Sequence, residues 1–419
     1  MFSSRGKALA IAAAVTLGGF GFYSWQSSRL KRLAVEPQRI AVLPFDNQTS
    51  DPRLDPAAAA LALLLAEQLS GLPGVSGFTA ASPAEAAGRA ASLLVHTRIE
   101  PSGENVRLIG RLERLREREF EAEGAAIGPQ AELPRLTGVI ASGIQSAVRP
   151  KGALAPPEFS QLAAGIALGR SLEAASAAEA LAGVEEALKA EPSCGLCWRR
   201  MVEIHAAAGQ KQEALARAEA SRAVRLAPMS RAVIDYEAAR LRGDAPGQRS
   251  ALERLSSLRA GEPEYLARLG ALLAGLGQWK EAAATYRSAV QAAPREPNLW
   301  NEFGYALAWS GNYEEALRAL NEYARLDPNS ANPADSQGEV AVMAGRFAEA
   351  INYFEQSYKK DKSFNGGQAI EKAGLAAYLN GEKARAASYF DRYLSALPQP
   401  QSAAARLVGA KWQSALGGI

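Results

Sequence analysis

The sequence predicts a mainly α-helical fold: a solenoid of helical hairpins, preceded by a small α/β domain and one apolar segment at the amino terminus. Three observations lead to this prediction. Glycines recur every 34 residues over much of the carboxyl-terminal half of the 419-residue chain. Residues 38–150 instead contain short apolar runs separated by turn-forming residues, which is typical of strands. The stretch from Ala8 to Ser28 contains no charged residue.

Composition and motifs bound the possible functions. The formal net charge is only +3, from 47 basic and 44 acidic residues that are interspersed along the chain. Nucleic-acid affinity depends largely on clustered Lys and Arg, so we expect no nucleic-acid partner. The two cysteines and two histidines give metal or histidine-dependent chemistry little to use. A phosphate loop, a nucleophile elbow and a His-Glu-x-x-His motif are missing from the sequence, so we expect no enzymatic activity, cofactor or metal.

The amino terminus is predicted to hold a transmembrane anchor over residues 8–28, after a short tail of residues 1–7. A helix of this length spans about 31 Å, which matches the hydrocarbon core of a bilayer. Phe22, Tyr23 and Trp25 suit the aromatic belt at a membrane interface. A cleaved secretion signal is the alternative, although its apolar core would end in small residues rather than aromatic ones. Basic residues flank both ends, so the charges do not decide the orientation.

The region from residue 38 to 150 is predicted to form a small α/β domain. Its elements follow one another as strand, helix, strand, helix, three strands and helix, over residues 38–48, 55–74, 75–82, from about 82, 91–100, 105–113, 118–126 and 129–148. Asp55 and Pro56 suit the start of the first helix, and Gly71 suits its end. Leu108, Leu112 and Leu115 also fit helical spacing, so a helix remains an alternative there.

The same region resembles the amino-terminal domain of TolB-type proteins. The resemblance rests on RIAVLPFDNQTSDP, at 39–52, and on the helix LALLLAEQLSGLPG, at 61–74. It implies a domain used for assembly and protein contact rather than an enzyme. Because the TolB-type domains are periplasmic, the resemblance also implies that the soluble part lies on the extracytoplasmic side.

The remaining sequence is organised by a 34-residue repeat. Five glycines are spaced by 34 and a sixth by 36: Gly209, Gly243, Gly277, Gly311, Gly345 and Gly381. Other positions recur in step with them. Small residues that let two helices cross closely are Gly270, Gly304, Gly338, Ala214, Ala282, Ala316, Ala350 and Ala386. Large residues that fill the space between helices are Trp279, Tyr313, Phe347, Tyr286, Leu320, Phe354 and Phe390. Prolines expected to close units are Pro192, Pro228, Pro294, Pro328 and Pro398.

This pattern resembles the tetratricopeptide repeat, a helix-turn-helix unit of 34 residues. About seven hairpins are expected over residues 158–400, with units that begin near 161, 195, 229, 263, 297, 331 and 367. Residues 401–419 are expected to form a capping helix, because the last hairpin of a solenoid would otherwise expose its apolar face. The units at 161 and 229 are degenerate, and the second has Asp235 at a position that is usually apolar.

The resemblance implies a right-handed superhelix whose concave groove is lined by the first helices of the hairpins. The predicted groove residues are Asn298, Asn301, Tyr305, Trp309, Asn332, Asp335, Glu339, Gln368 and Glu371. Asn and Gln can hydrogen-bond a peptide backbone in either direction, and Tyr and Trp are frequent interface anchors. Ordinary solvated positions are the alternative interpretation. A subclass of these repeats clamps a terminal carboxylate with paired basic residues, but no basic residues occupy these places.

The pair Cys194 and Cys197, in the motif CGLCW, allows several interpretations. Two cysteines cannot complete a zinc site, and the residue after the second is Trp198 rather than the histidine of a haem attachment motif. A disulfide, if the domain is extracytoplasmic, a functional redox pair and inert packing all remain open. His96 and His205 are interpreted as packed or surface histidines rather than as bases.

Together these patterns predict a membrane-anchored scaffold that binds a protein or peptide in the groove of its repeats. An envelope assembly or secretion factor, or a regulatory component of a membrane signalling system, is the alternative. The expected location is the bacterial inner membrane, with the soluble part on the periplasmic side and the cytoplasmic side left open. The oligomeric state is not predicted.

Overall fold

The computed structural model describes residues 38–89, 91–148, 152–259 and 262–397, together with Gly409. The predicted anchor at 8–28 and, apart from Gly409, the predicted capping helix lie outside these residues, so both stay predictions. In the part of the chain that the structure describes, no helix is long and apolar enough to cross a membrane. The chain divides into two compact units. One holds residues up to Pro52 and Leu61–Ala155, and the other holds Arg53–Ala60 and the residues from Pro156 onward.

The amino-terminal region contains a mixed sheet with helices between its strands. Its elements are β1 (Gln38–Val42), β2 (Asp46–Asn47), α1 (Ala57–Leu69), β3 (Val75–Thr79), α2 (Pro83–Gly88), β4 (Leu93–Ser102), β5 (Asn105–Arg114), β6 (Glu119–Gly128) and α3 (Leu133–Val148). The strand order is β3-β1-β4-β5-β6, and the short β2 pairs with β4. Strand β1 is parallel to β3 and β4, whereas β4, β5 and β6 are antiparallel.

The predicted order of elements is confirmed, with β2 as an addition. Leu108 and Leu112 lie on one buried face of β5, because residues four apart share a face in a strand as they do in a helix. Because both structures show this spacing, the sequence alone did not distinguish a strand from a helix at these residues. The predicted end of the first helix at Gly71 agrees with α1, which ends at Leu69, and the left-handed glycine of the turn is Gly74, with φ of 70°.

Two glycines let α3 pack closely on the sheet. A Cβ atom at Gly124 would lie 2.5 Å from the backbone oxygen of Ile140, and one at Gly110 would lie 2.5 Å from the Ile140 side chain. Ile140 and Ile144 are fully buried against these strands.

The carboxyl-terminal region consists of consecutive helical hairpins. The first helices are α4 (Leu162–Glu173), α6 (Gly195–Ala207), α8 (Pro228–Arg242), α10 (Pro263–Gly275), α12 (Pro297–Trp309), α14 (Asn332–Met343) and α16 (Gln368–Leu379). The second helices are α5 (Ala177–Ala190), α7 (Lys211–Ala220), α9 (Ala245–Leu258), α11 (Trp279–Ala292), α13 (Tyr313–Leu326), α15 (Phe347–Lys360) and α17 (Lys383–Ala396). The first helices begin within one residue of the predicted unit starts.

The repeated glycines end the first helices in a left-handed conformation. All six have φ between 72° and 87°. The residue after each glycine donates its N–H to the carbonyl five positions earlier, as Asn312 does to Leu307 at 2.9 Å. This is a Schellman motif, in which glycine avoids the steric cost of positive φ. The period of 34 therefore reflects a backbone requirement that every hairpin shares.

A second set of glycines lies where the two helices of a hairpin cross. Each is met by a large side chain sixteen residues later: Gly270 by Tyr286, Gly304 by Leu320, Gly338 by Phe354 and Gly374 by Phe390. A Cβ atom at Gly338 would lie 2.5 Å from Phe354 Cε1. The predicted close crossing is confirmed for the first three pairs, and the structure adds Gly374.

In the third hairpin the structure explains one sequence expectation and corrects another. Asp235, which marked it as degenerate, is half-buried and pairs with Arg254 on the facing helix at 2.9 Å. The polar residue is accommodated because its charge has a partner. Pro228 does not close the preceding unit but occupies the first turn of α8, where a proline has no hydrogen bond to lose.

Candidate partner-binding groove

The predicted groove residues lie on the first helices α12, α14 and α16, and side-chain contacts join these three helices. Tyr305 on α12 donates its hydroxyl proton to Glu339 Oε2 on α14 at 2.6 Å. Lys372 on α16 donates to Asp335 Oδ2 at 2.6 Å and to Glu339 Oε1 at 2.5 Å. These contacts define one continuous surface, which we call the groove face. We call the four linked side chains the groove cluster.

The groove cluster is partly withdrawn from water. Asp335 is only 4% exposed, whereas Glu339 and Lys372 are half-buried. Burial raises the pKa of Asp335, the hydrogen bond from Lys372 opposes this effect, and the charge of Glu339 adds to it. Burial acts to lower the pKa of Lys372, but its hydrogen bonds to two carboxylates outweigh that effect and raise it. Burial, with the hydrogen bond to Glu339, also raises the pKa of Tyr305, so its hydroxyl stays protonated.

Two buried side-chain oxygen atoms of predicted groove residues have no hydrogen-bond partner among the described residues. They are Asp335 Oδ1 and Asn301 Oδ1. The two residues are 34 apart, so they occupy the same place in adjacent hairpins. A buried acceptor without a donor costs free energy. The groove face therefore has acceptor capacity that its own side chains leave unused.

An aromatic pair extends the groove face by one helical turn. Trp309 follows Tyr305 by four residues on α12 and is 57% exposed. Its ring stacks on that of Trp279, at the start of α11, with centroids 5.5 Å apart. Leu375 and Leu379 on α16 are also exposed. Large exposed apolar side chains of this kind commonly mark interaction surfaces.

The other predicted residues differ in how available they are. Asn298 and Gln368 are exposed at the starts of their helices, and Glu371 is half-buried. Asn332 on α14 donates its side-chain amide to the Tyr323 hydroxyl on α13 at 2.8 Å, so it supports packing between adjacent hairpins.

Sequence reasoning missed Lys372. Lys372 lies next to the predicted residue Glu371 and reaches back to α14. No pattern in the sequence around Lys372 indicates this contact, because its acceptors are 33 and 37 residues away on another helix. Its ammonium group is already bound by two carboxylates, so it does not form a clamp for a terminal carboxylate.

The cysteines and histidines lie elsewhere. Cys194 and Cys197 are joined by a disulfide at the start of α6, and both are fully buried. His205 Nδ1 hydrogen-bonds Gln210 Oε1 at 2.7 Å, and His96 Nε2 contacts Glu113 Oε2 at 2.5 Å. The described residues contain no group of three or more His, Cys, Asp or Glu placed to hold a metal ion.

Comparisons with known proteins identify the repeats. Two family models, each described as tetratricopeptide repeat, match residues 273–337 and 336–400. The chain therefore contains tetratricopeptide repeats, a class of repeat that binds proteins. Neither family model describes a catalytic family. No curated protein matches the sequence significantly. The resemblance to TolB-type domains gains no match and stays a prediction.

Several solved structures are similar to parts of this chain at low sequence identity. A tetratricopeptide repeat-containing protein from Cytophaga hutchinsonii is 13% identical, with a TM-score of 0.47, over 55% of this chain and 94% of its own. A tetratricopeptide repeat protein from Parabacteroides merdae is 17% identical, with a TM-score of 0.38, over 61% of this chain and 98% of its own. MamA from Desulfovibrio magneticus is 17% identical, with a TM-score of 0.37, over 42% of this chain and 98% of its own. The repeat assignment rests on the family models.

Proposed function

We propose that this protein is a non-enzymatic scaffold that binds a protein or peptide segment on its groove face. The observation that carries the proposal is the exposed Trp309, stacked on Trp279 one helical turn from the groove cluster. A large aromatic side chain held rigidly at the surface supplies contact area at low entropic cost, which is why such residues often anchor interfaces.

The hairpins supply a rigid support for this surface. Left-handed glycines fix the turns, and close helix crossings such as Gly304 against Leu320 fix the packing beneath α12. Asn298 and Gln368 present exposed amide groups on the same helices. A bound segment would then gain apolar contact from Trp309 and backbone hydrogen bonds from the amides.

Removal of the tryptophan tests the proposal. We expect Trp309→Ala to abolish the specific capture of partners by the immobilised chain while its helicity, measured by circular dichroism, stays unchanged. Phe120→Ala is the matched control, because Phe120 is a similarly exposed aromatic residue, at 60%, on β6 rather than on the repeats. Equal capture by wild type and Trp309→Ala would contradict the proposal.

We also propose that the scaffold is anchored in the bacterial inner membrane through residues 8–28, with its repeats on the periplasmic side. The apolar segment and the Cys194–Cys197 disulfide support this location, because disulfides persist mainly in oxidising compartments. A reporter that is active only outside the cytoplasm, fused after Ile419, should be active. Cys194 and Cys197, in protein that is denatured in acid to prevent thiol exchange, should resist alkylation until their disulfide is reduced. An inactive reporter together with free thiols would contradict this location.

A further inference from the structure

We propose that the groove face selects a partner segment that carries a basic side chain, Arg or Lys, close to an apolar one. The basic side chain binds at Asp335 and Glu339, beside Lys372, and the apolar side chain packs on Trp309. This inference rests on the proposed function and names the chemistry of its partner.

The charge of the three helices that carry the groove face favours a basic partner. The helices α12, α14 and α16 together carry four acidic residues, Glu302, Asp335, Glu339 and Glu371, but only one basic residue, Lys372. Their formal net charge is therefore −3. The second helices of the same hairpins, α13, α15 and α17, carry six acidic and seven basic residues, for a net charge of +1. Negative charge is thus concentrated on these three first helices, within a chain whose net charge is +3.

The groove cluster itself is not balanced. Lys372 supplies one positive charge to two carboxylates, Asp335 and Glu339. An ion pair that only locks neighbouring hairpins would be expected to match its charges, because uncompensated charge away from water is costly. One further cation would neutralise the cluster. Glu339 is the accessible member, since 36% of its side chain is exposed.

The unused acceptors are the second argument. Asp335 is more than nine-tenths buried, yet its Oδ1 has no hydrogen-bond partner among the described residues, and neither has Asn301 Oδ1. Both atoms accept hydrogen bonds and neither can donate one. A guanidinium group carries five N–H donors and an ammonium group carries three, so either supplies what these oxygens lack.

Trp309 lies close to the groove cluster along α12. Tyr305, whose hydroxyl binds Glu339, and Trp309 are four residues apart on α12, which is about 6 Å along the helix. Alternate residues of an extended segment lie on one face and are about 6.6 Å apart. A basic residue and an apolar residue close together in one short segment can therefore contact the cluster and the tryptophan at once.

Selection from a random peptide library tests this inference and requires no identified partner. The probe is a phage-displayed library of random dodecapeptides, panned against the full chain in mild detergent. We expect the enriched peptides to carry Arg or Lys close to a large apolar residue. Their synthetic versions should bind more weakly as ionic strength rises, because the contact is between charges.

Isosteric variants then locate the contact. Glu339→Gln removes the accessible charge but keeps an oxygen that can accept a hydrogen bond from Tyr305. It should lower the affinity for the selected peptides at least about tenfold. Glu322→Gln is the matched control, because Glu322 lies on the second helix α13, paired with exposed Arg325, and its loss changes the net charge equally. The control should bind like wild type. Circular dichroism establishes that both variants are folded.

The outcomes separate this inference from the function on which it rests. The inference is overturned if basic residues are not enriched, if no peptide is enriched, or if Glu339→Gln binds like Glu322→Gln. If selected peptides without basic residues lose affinity only on Trp309→Ala, the groove binds partners but not basic ones. Peptide binding that is unaffected by either Trp309→Ala or Glu339→Gln would contradict both proposals.

Discussion

Individual residues of the groove cluster have consequences for stability that can be measured. Asp335 has a pKa raised above its ordinary 3.8, chiefly because burial disfavours the charged carboxylate. Lys372, Glu339 and Tyr305 are the titratable groups that face it. When the pKa of an acid is higher in the folded state, the protonated acid favours folding. That contribution is complete below pH 3.8 and is lost as the pH rises through the folded-state pKa.

We therefore expect Asp335→Asn to gain stability relative to wild type as the pH rises from about 3 to about 7. Asp361→Asn is a control of opposite sign, because hydrogen bonds from Ser363 lower the pKa of Asp361. That variant should lose stability relative to wild type over the same range. Denaturation midpoints measured across the range test both, and the same trend in the two variants would contradict the assignment.

Lys372 is the residue that makes the two carboxylates tolerable. Replacing it in Lys372→Met leaves Asp335 and Glu339 without their shared cation. We expect a loss of about 2 kcal/mol, less than the 3–5 typical of a fully buried pair, since this cluster is partly exposed. The comparison is Arg325→Met, which breaks an exposed pair with Glu322 and should cost less than about 0.5 kcal/mol. Equal losses of unfolding free energy in the two variants, measured by urea denaturation, would show that the cluster stabilises the protein no more than an exposed ion pair does.

At the scale of the element, the turn glycines fix how each hairpin closes. Gly311 has φ of 87°, so an alanine there meets the steric penalty of the left-handed conformation. We expect Gly311→Ala to cost about 1–2 kcal/mol. Gly275→Ala is the control, because Gly275 ends α10 without positive φ and a Cβ there meets nothing within 4 Å. It should be neutral or stabilising by up to about 1 kcal/mol. A loss as large as that of Gly311→Ala would contradict this explanation.

The helix crossings depend on a glycine and a large side chain acting as a pair. Gly338→Ala would push a Cβ atom into Phe354 and should destabilise the protein by about 1–3 kcal/mol. Phe354→Leu should recover part of this loss in the double variant, because the smaller side chain gives the new methyl group space. A double-mutant cycle measures the coupling. Strict additivity of the two changes would mean that the contact does not set the helix separation.

For the whole molecule, the repeat architecture predicts that damage stays local. Each hairpin packs mainly against its neighbours, whereas the sheet belongs to a separate compact unit. Hydrogen exchange should therefore rise in α14–α17 of Gly338→Ala and remain unchanged in β4 and β5. Faster exchange throughout the sheet would show that the two units unfold together.

The sequence by itself determined the repeat and the order of elements. Positive φ at Gly209 and its five equivalents, and the close crossings at Gly270, Gly304 and Gly338, are local requirements that only one or a few residue types satisfy. Such requirements repeat with the unit and can be recognised one position at a time. The strand β2 was missed because two residues carry no periodicity.

The tertiary structure alone decided which groove residues act together. Lys372 contacts Asp335 and Glu339, which precede it by 37 and 33 residues, and Trp309 contacts Trp279 of the preceding hairpin. The same fold ties Asn332 to Tyr323 and leaves Trp309 exposed. Residue type and spacing within one helix do not distinguish a residue that packs, such as Asn332, from one that stays exposed, such as Trp309. Charge balance, burial and unpaired acceptors arise only when neighbouring helices pack, so they were not readable from the sequence.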